Sequence, residues 1–438
     1  MLKVLKFGGT SMASAAQYAK VRAIVESDPA RRVLVVSAAG KRNREDHKIT
    51  DLLYLCHAHI KYGVSCDSVF GMISQRYLEI RDELGLKTDL EGELARIRAA
   101  MDGGVSEAWL ASRGEYLSAR LMADYLGFTF VDATEWLRFK LDGSVDKDFS
   151  YPALKELAEG KNIVMPGFYG ALPDGSIRTF TRGGSDITGA LAAAALDADV
   201  YENWTDVSGI LMADPRIVDN PESIPRVTYT ELRDLSYTGA QVLHEDTIFP
   251  VAEKHIPVNI RNTNDPDHPG TVIMDHFDDE DERSQRFITG IAGKKDYAFL
   301  SIYKKGLSNE VGTMRKIFQV IENHNIPLEY TPNSIDTICL VLPGLQLEKQ
   351  QHSIVAALEE LLHPDKIEIT KGIAIIAAIG RQLAVRPGIS GKIFSALGDA
   401  GINIRMISQG SRAVNIILGV DNCNFASAIR VLYYSFMK

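Results

Sequence analysis

The sequence predicts an α/β protein: a mainly parallel sheet with helices on both faces, followed by a smaller tandem βαββαβ half. Three observations carry this. Strand-like apolar runs alternate with longer helical stretches from residue 1 to about 275. The first run breaks into a glycine pair and then a helix. Past an acidic stretch, Gly312, Ile317-Phe318 and Ile326 recur as Gly388, Ile393-Phe394 and Ile402, a constant offset of 76 residues.

The first element is the strand Leu2 to Phe7, which delivers Lys6 to Gly8, Gly9, Thr10 and Ser11. Paired glycines let backbone N–H groups approach an anion closely, and the next helix, Ala13 to Glu26, points its positive end at the same place. A strand-to-helix turn with a solvated lysine explains the same letters, and the Walker spacing is absent. Val33 to Ala38 is a second strand, ending in Ser37, Ala38, Ala39 and Gly40 before an exposed basic loop, Lys41 to Lys48. Ile49-Thr50-Asp51 reads as a helix start, with Thr50 as cap or as a substrate-facing hydroxyl. Arg113-Gly114-Glu115 reads as the start of a helix through Leu117 and Leu121, where Glu115 binds an ammonium or complements the dipole.

Ile163 to Phe168 is another strand, and Arg182-Gly183-Gly184-Ser185-Asp186 then opens an alanine-rich helix, Ile187 to Leu196. Ser185 or Asp186 suits the N-cap, but a second glycine-lined helix start, with a guanidinium and a carboxylate, also suits an anionic acceptor. The strand Asp199 to Trp204 leads to Thr205, Asp206 and then Asp214-Pro215-Arg216. These residues could hold a nucleotide, or form an Asp-Pro turn with a local ion pair. Tyr237 and His244 flank Gly239-Ala240 and are expected to pack.

With 438 residues the chain exceeds one average core, and the acidic stretch Asp275 to Arg283 is the expected boundary. Lys plus Arg number 48 against 57 Asp plus Glu, a net charge of −9 that disfavours nucleic acid as a partner. The four cysteines, Cys56, Cys66, Cys339 and Cys423, show no metal-ligand spacing and read as reduced thiols of a cytoplasmic protein. No signal peptide is evident, and the longest apolar runs, such as Gly372 to Gly380, are too short to span a membrane. No Ser-His-Asp or Cys-His arrangement calls for a nucleophile, and no resident metal site is expected. Each repeat reads as a helix after a glycine, then a strand, a turn (Thr331 to Ser334; Gln409 to Ser411) and another strand. Such small sheets expose edges that tend to pair, so dimerisation is expected.

Taken in order, Lys6-Phe7-Gly8-Gly9-Thr10-Ser11, Val35-Val36-Ser37-Ala38, Gly114-Glu115, Arg182 to Asp186, Thr205-Asp206 through Arg216, Val242-Leu243-His244 and the paired repeat resemble the aspartokinase family of the amino-acid kinase superfamily. The resemblance implies a three-layer α/β/α sandwich over residues 1–280 and two ACT-like domains over 286–370 and 371–438, with strands open to exchange. It implies transfer of the ATP γ-phosphoryl group to the side-chain carboxylate of L-aspartate, with Mg²⁺ carried mainly by the nucleotide phosphates. Lys6 would stabilise the transferring group and Asp186 orient it, with Gly8, Gly9, Thr10 and Ser11 around the phosphates. Thr50, Glu115, Arg182, Gly184 and Ser185 would bind aspartate. Thr205, Asp206, Leu211, Arg216, Asn264 and Asp265 would bound the nucleotide, although Leu211 and Asn264 replace an aromatic residue and a lysine found in relatives. Lysine or threonine is expected as inhibitor near Gly312, Met314, Glu329 and Ser334, in a homodimer or homotetramer formed through the ACT-like half.

Within the superfamily the alternative is a kinase for glutamate or a carbamate, which generally lacks the paired tail. From another class, a non-catalytic amino-acid sensor has no need of Lys6, Arg182 and Asp186 together. A nucleotide-dependent oxidoreductase is excluded, because no Gly-x-Gly-x-x-Gly follows the first strand.

Overall fold

A computed structural model describes residues 1–181, 183–240, 245–277, 287–381, 383, 386–410 and 414–437. Arg182, the run Val242-Leu243-His244, the acidic stretch from Asp278 to Arg283 and Ser411 lie outside the described residues.

The chain forms two compact units. The first comprises Met1–Ile210, Ser223–Tyr229 and Leu243–Phe277. Its first part contains β1 (Lys3–Phe7), α1 (Ala15–Glu26), β2 (Arg31–Val36), α2 (Ile49–Lys61), α3 (Asp67–Leu84), α4 (Leu90–Asp102) and α5 (Glu107–Leu126). Then come β3 (Thr129–Phe130), α6 (Ala133–Trp136), α7 (Lys147–Ala158), β4 (Ile163–Pro166), the hairpin β5 (Tyr169–Ala171) and β6 (Ile177–Thr179), α8 (Gly184–Ala195) and β7 (Val200–Thr205). The short strands β8 (Ile210–Leu211), β9 (Ser223–Ile224) and β10 (Arg226–Thr228) precede α9 (Tyr229–Tyr237), α10 (Glu245–Ala252), β11 (Val258–Asn262) and β12 (Thr271–Met274).

The large sheet runs β10-β12-β11-β7-β1-β2-β4-β3, with β11 and β12 as its antiparallel neighbours. Strands buried on both faces read as continuous apolar runs, and β2 and β4 do so. Four consecutive helices, α2 to α5, interrupt the expected alternation. Their apolar faces join α1 and the sheet in one core that includes Tyr18, Phe70, Tyr77, Ile97, Leu121 and Trp204. Helix α8 packs on β1, β2 and β7.

The second unit comprises Leu211–Glu222, Thr230–Val242 and Asp278–Lys438. Two stretches expected within residues 1–280 therefore group with the C-terminal half, for a physical reason. Glu231 on α9 accepts from Thr289 Oγ1 at 2.6 Å and pairs with Arg381 at 3.3 Å, while Asp234 accepts from Asn415 Nδ2 at 2.6 Å. The Ile291 N–H also donates to the Met212 carbonyl at 2.7 Å.

This unit continues as β13 (Gly290–Tyr303), α11 (Thr313–Asn323), β14 (Thr337–Pro343), α12 (Gly344–Leu362), β15 (Lys366–Ile379), α13 (Ile389–Asp399), β16 (Met406–Ser408), β17 (Asn415–Asp421) and α14 (Phe425–Met437). Its sheet runs β14-β13-β15-β17-β16. Strands β13 and β15 pair from Gly290↔Ile379 to Tyr303↔Lys366. The half of β13 from Tyr297 onward faces β14, whereas the half of β15 from Ile373 onward faces β17. Each long strand thus serves both repeats, and the expected break at 370/371 falls inside one of them. Asp296 and Gly372, at φ of +69° and +76°, mark the crossover.

No described helix is long and apolar enough to cross a membrane.

Candidate active site

Strands β1, β2, β4, β7 and β11 run parallel, so their carboxyl ends share one edge of the sheet. The chain leaves β1 for β2 on one side and returns as β7 on the other. Such a switch point opens a crevice at the strand ends, where ligands of open α/β sheets bind.

The glycine turn fills that position. Gly8 N–H donates to the Trp204 carbonyl at 3.0 Å, and Gly40 N–H donates to the Gly9 carbonyl at 2.7 Å. A Cβ on Gly40 would stand 2.5 Å from the Gly9 carbonyl carbon, so these backbones meet only because neither residue has a side chain. Residues Gly9–Met12 make one tight helical turn before α1, and the Ser11 and Thr263 hydroxyls lie 2.8 Å apart.

Lys6 is 7% exposed, and its Nζ lies 2.7 Å from Asp186 Oδ1. Asp186 occupies the first turn of α8, whose N-cap is Gly183 at φ +56°, not Ser185 or Asp186 as the sequence suggested. Gly167 and Phe168, the latter at φ +79°, wedge against Ser185 and Gly184. Phe168 N–H donates to Thr188 Oγ1 at 3.1 Å. Residues held in this strained region concentrate where a site requires the backbone geometry.

Glu115 does not begin a helix. The Ser106 hydroxyl caps α5 by accepting from Trp109 N–H at 3.2 Å, which leaves Glu115 in the helix interior and removes the dipole explanation. Its carboxyl is buried, and Oε2 has no hydrogen-bond partner. Burial pushes its pKa up to about 8, against the pull of the Ala38 backbone and the Arg113 charge. Tyr77 OH donates to the Gly114 carbonyl at 2.7 Å and accepts from the Ala39 N–H at 3.4 Å, which ties α5 to the loop after β2. Thr50 lies in the first turn of α2 after Lys48 as N-cap, so it is not the cap. The Ile49 N–H donates to the Ala39 carbonyl at 3.1 Å, which brings that turn to the same loop.

Thr205 ends β7, and its carbonyl accepts from Thr263 N–H at 2.9 Å while its hydroxyl donates to Asp206 at 3.2 Å. Asn264 Oδ1 accepts from Lys20 Nζ at 2.8 Å and from Gln17 at 3.2 Å, which places a cation beside the position where a lysine was missed. Asp265 N–H donates to the Asn262 carbonyl at 3.2 Å. Leu211 and Arg216 fall in the second unit, where Arg216 pairs with Asp214 at 2.6 Å.

In the second unit Gly312, at φ +83°, caps α11, and Met314 packs on its core. Ser334 N–H donates to the Thr337 carbonyl at 2.8 Å. Glu329 accepts from Tyr237 OH at 2.6 Å, so Tyr237 is a half-exposed partner of that carboxylate, not a packed core residue. Sequence reasoning missed Asn203, Tyr77 and Thr263, whose partners are distant in the chain. The available signal was a lone Asn inside the strand Val200–Thr205.

The amino acid kinase family pattern matches residues 1–262, and an ACT domain pattern matches 376–436. Aspartokinase 3 of Bacillus subtilis is 35% identical over 458 residues, covering 99% of this chain and 98% of that protein. The crystal structure of Clostridium acetobutylicum aspartate kinase, described as an allosteric enzyme, is 44% identical with a TM-score of 0.89 over 99% of both chains. E. coli aspartokinase III in complex with lysine and aspartate is 25% identical, with a TM-score of 0.73 over the full length of both. On the family pattern over residues 1–262 and the full-length likeness to Aspartokinase 3, the chain belongs to the amino acid kinase family and, within it, to the aspartokinases.

Proposed function

We propose that the chain transfers the γ-phosphoryl group of ATP to the side-chain carboxylate of L-aspartate, giving 4-phospho-L-aspartate and ADP. This is the entry step to lysine, threonine, methionine and isoleucine. The observation that carries the reading is the Lys6–Asp186 pair, a buried ammonium on a part-buried carboxylate, beside the glycine turn at the switch point of the sheet.

In the reaction an aspartate side-chain oxygen attacks the γ-phosphorus. The new P–O bond forms as the bond to the β,γ-bridging oxygen breaks, and that electron pair leaves with ADP. A carboxylate is already deprotonated at neutral pH, so no general base is needed. The work is alignment and the cancelling of charge between two anions. Lys6 supplies positive charge at the transferring group, and Asp186 fixes its direction. Gly9 and Thr10 in the turn and the start of α8 at Gly184 and Ser185 offer N–H groups to the phosphates and the acceptor, while the Gly8 and Ser11 N–H groups hold the turn itself through the Trp204 and Gly8 carbonyls. Glu115, with one unpartnered oxygen, suits the aspartate ammonium. Thr50 stands nearby as a hydroxyl contact, and Arg182 is assigned the α-carboxylate. Thr205, Asp206, Asn264 and Asp265 border the nucleotide.

Among the described residues no three His, Cys, Asp or Glu side chains gather as a metal cage. Mg²⁺ is assigned to the nucleotide's own phosphates, as the kinase reading implies. When bound, the ion neutralises phosphate charge. The second unit is assigned an inhibitory lysine or threonine near Gly312, Met314, Glu329 and Ser334, and a dimer or tetramer contact through its sheet.

Hydroxylamine trapping tests the reading. L-Aspartate with MgATP should yield a hydroxamate and stoichiometric ADP, and L-glutamate should not. ATP binding without turnover on either acid would favour a sensor.

A further inference from the structure

We infer that Asn203 is a positioning residue for the phosphoryl transfer, acting through Asp186; the inference rests on the aspartate kinase reading above. Asn203 and Lys6 are register partners on the parallel strands β7 and β1. Partners in register project to the same face of a sheet, here the face on which α8 packs. Asn203 is 2% exposed, and its Nδ2 donates to Asp186 Oδ1 at 2.8 Å. Lys6 Nζ meets the same oxygen at 2.7 Å, so both contacts fall on Oδ1 while Oδ2 faces the Gly183 turn.

A lysine ammonium alone does not fix a carboxylate. It is a compact charge on a flexible stem and accepts many approaches. The amide of Asn203 adds a second, directional donor from a rigid strand, which sets the rotation of the Asp186 carboxylate and hence the line along which Lys6 is held. From the same strand Tyr201 OH donates to the Asp186 backbone carbonyl at 3.1 Å. β7 thus grips the first turn of α8 at both the main chain and the side chain of Asp186. Within a buried network, the loss of one donor redirects the others.

The test uses Asn203→Leu, which keeps the bulk and removes the donor, and Asn203→Val, which suits a strand should the first not fold. Wild type is assayed first, because failure of aspartate-dependent hydroxamate formation there refutes the kinase reading and not this one. With an active wild type, a folded variant should lose roughly ten- to a hundredfold in kcat, the scale of a hydrogen bond to a charged group, with both KM values within about threefold. A double-mutant cycle gives the readout that mere packing would not move. In an Asp186→Asn background the same substitution should cost less than about twofold, since the group it positions has already changed. A folded variant with wild-type kcat, or equal losses in both backgrounds, would overturn the inference. Failure of both variants to fold would assign Asn203 to the core and overturn it as well.

Discussion

Lys6 and Glu115 are both buried ionisable groups, but Lys6 meets a carboxylate at 2.7 Å whereas Oε2 of Glu115 meets no hydrogen-bond partner. Burial pushes the Glu115 carboxyl up to about 8 by penalising the charged form. The sign follows from linkage. The folded state holds this proton between the ordinary carboxylate range and about pH 8, so the contribution of Glu115 to stability is complete below about pH 4.5 and is lost as pH rises through 8. An ammonium bound there must displace the proton. Aspartate binding at pH 7 is therefore expected to release close to one proton, measurable by calorimetry in buffers of different ionisation enthalpy, and Glu115→Gln should abolish the release. Elsewhere on β7, Glu202 accepts from Arg31 at 2.9 Å and 3.2 Å and from Trp204 Nε1 at 2.9 Å, all of it buried. Lys3 Nζ also lies 3.4 Å from Glu202, so Arg31→Met leaves the carboxylate one cation and should cost about 1–3 kcal/mol in chemical denaturation, below the loss expected for a fully stranded buried charge.

At the scale of elements, the turn after β1 depends on a second loop touching it. A methyl group on Gly40 would meet the Gly9 carbonyl carbon at 2.5 Å, and backbone cannot yield as a side chain end can. Gly40→Ala is expected to leave the far half of the sheet folded while raising KM for ATP and lowering turnover at least about tenfold; unchanged kinetics would show the turn is not built by this contact. Much of this site was legible, because strand, glycines and helix are contiguous and Lys6 arrives with them. Glu115 was legible as a residue but misplaced in its helix, since Ser106 is the true cap and a Gly-Glu pair imitates a boundary. Asn203 was not singled out, because the donor's meaning depends on Asp186, a partner brought close only by the pairing of β7 with β1. The same holds for β13 and β15. Their apolar runs announce strands, but nothing local announces that each one serves two repeats.

For the whole molecule, the consequential feature is α9. It lies in sequence between β10 and α10 of the first unit, yet Glu231, Asp234 and Tyr237 all bond to residues of the second unit. Beyond residue 244 the chain enters α10, whose Thr247 methyl lies 2.6 Å from where a Cβ on Gly183 would stand. An effector ammonium at Glu329 would compete with the Tyr237 hydroxyl. Tyr237→Phe is expected to shift the half-inhibitory concentration of lysine or threonine about fivefold or more, within the usual 1–3 kcal/mol of allosteric coupling, with uninhibited kcat unchanged. An identical inhibition curve would detach α9 from regulation.

The most direct measurement is steady-state ADP release with saturating MgATP and L-aspartate, for wild type beside Lys6→Ala. The account predicts aspartate-dependent turnover that falls by about a hundredfold or more in the variant, while KM for each substrate changes only a few-fold. Near-normal turnover without the Lys6 ammonium would contradict it.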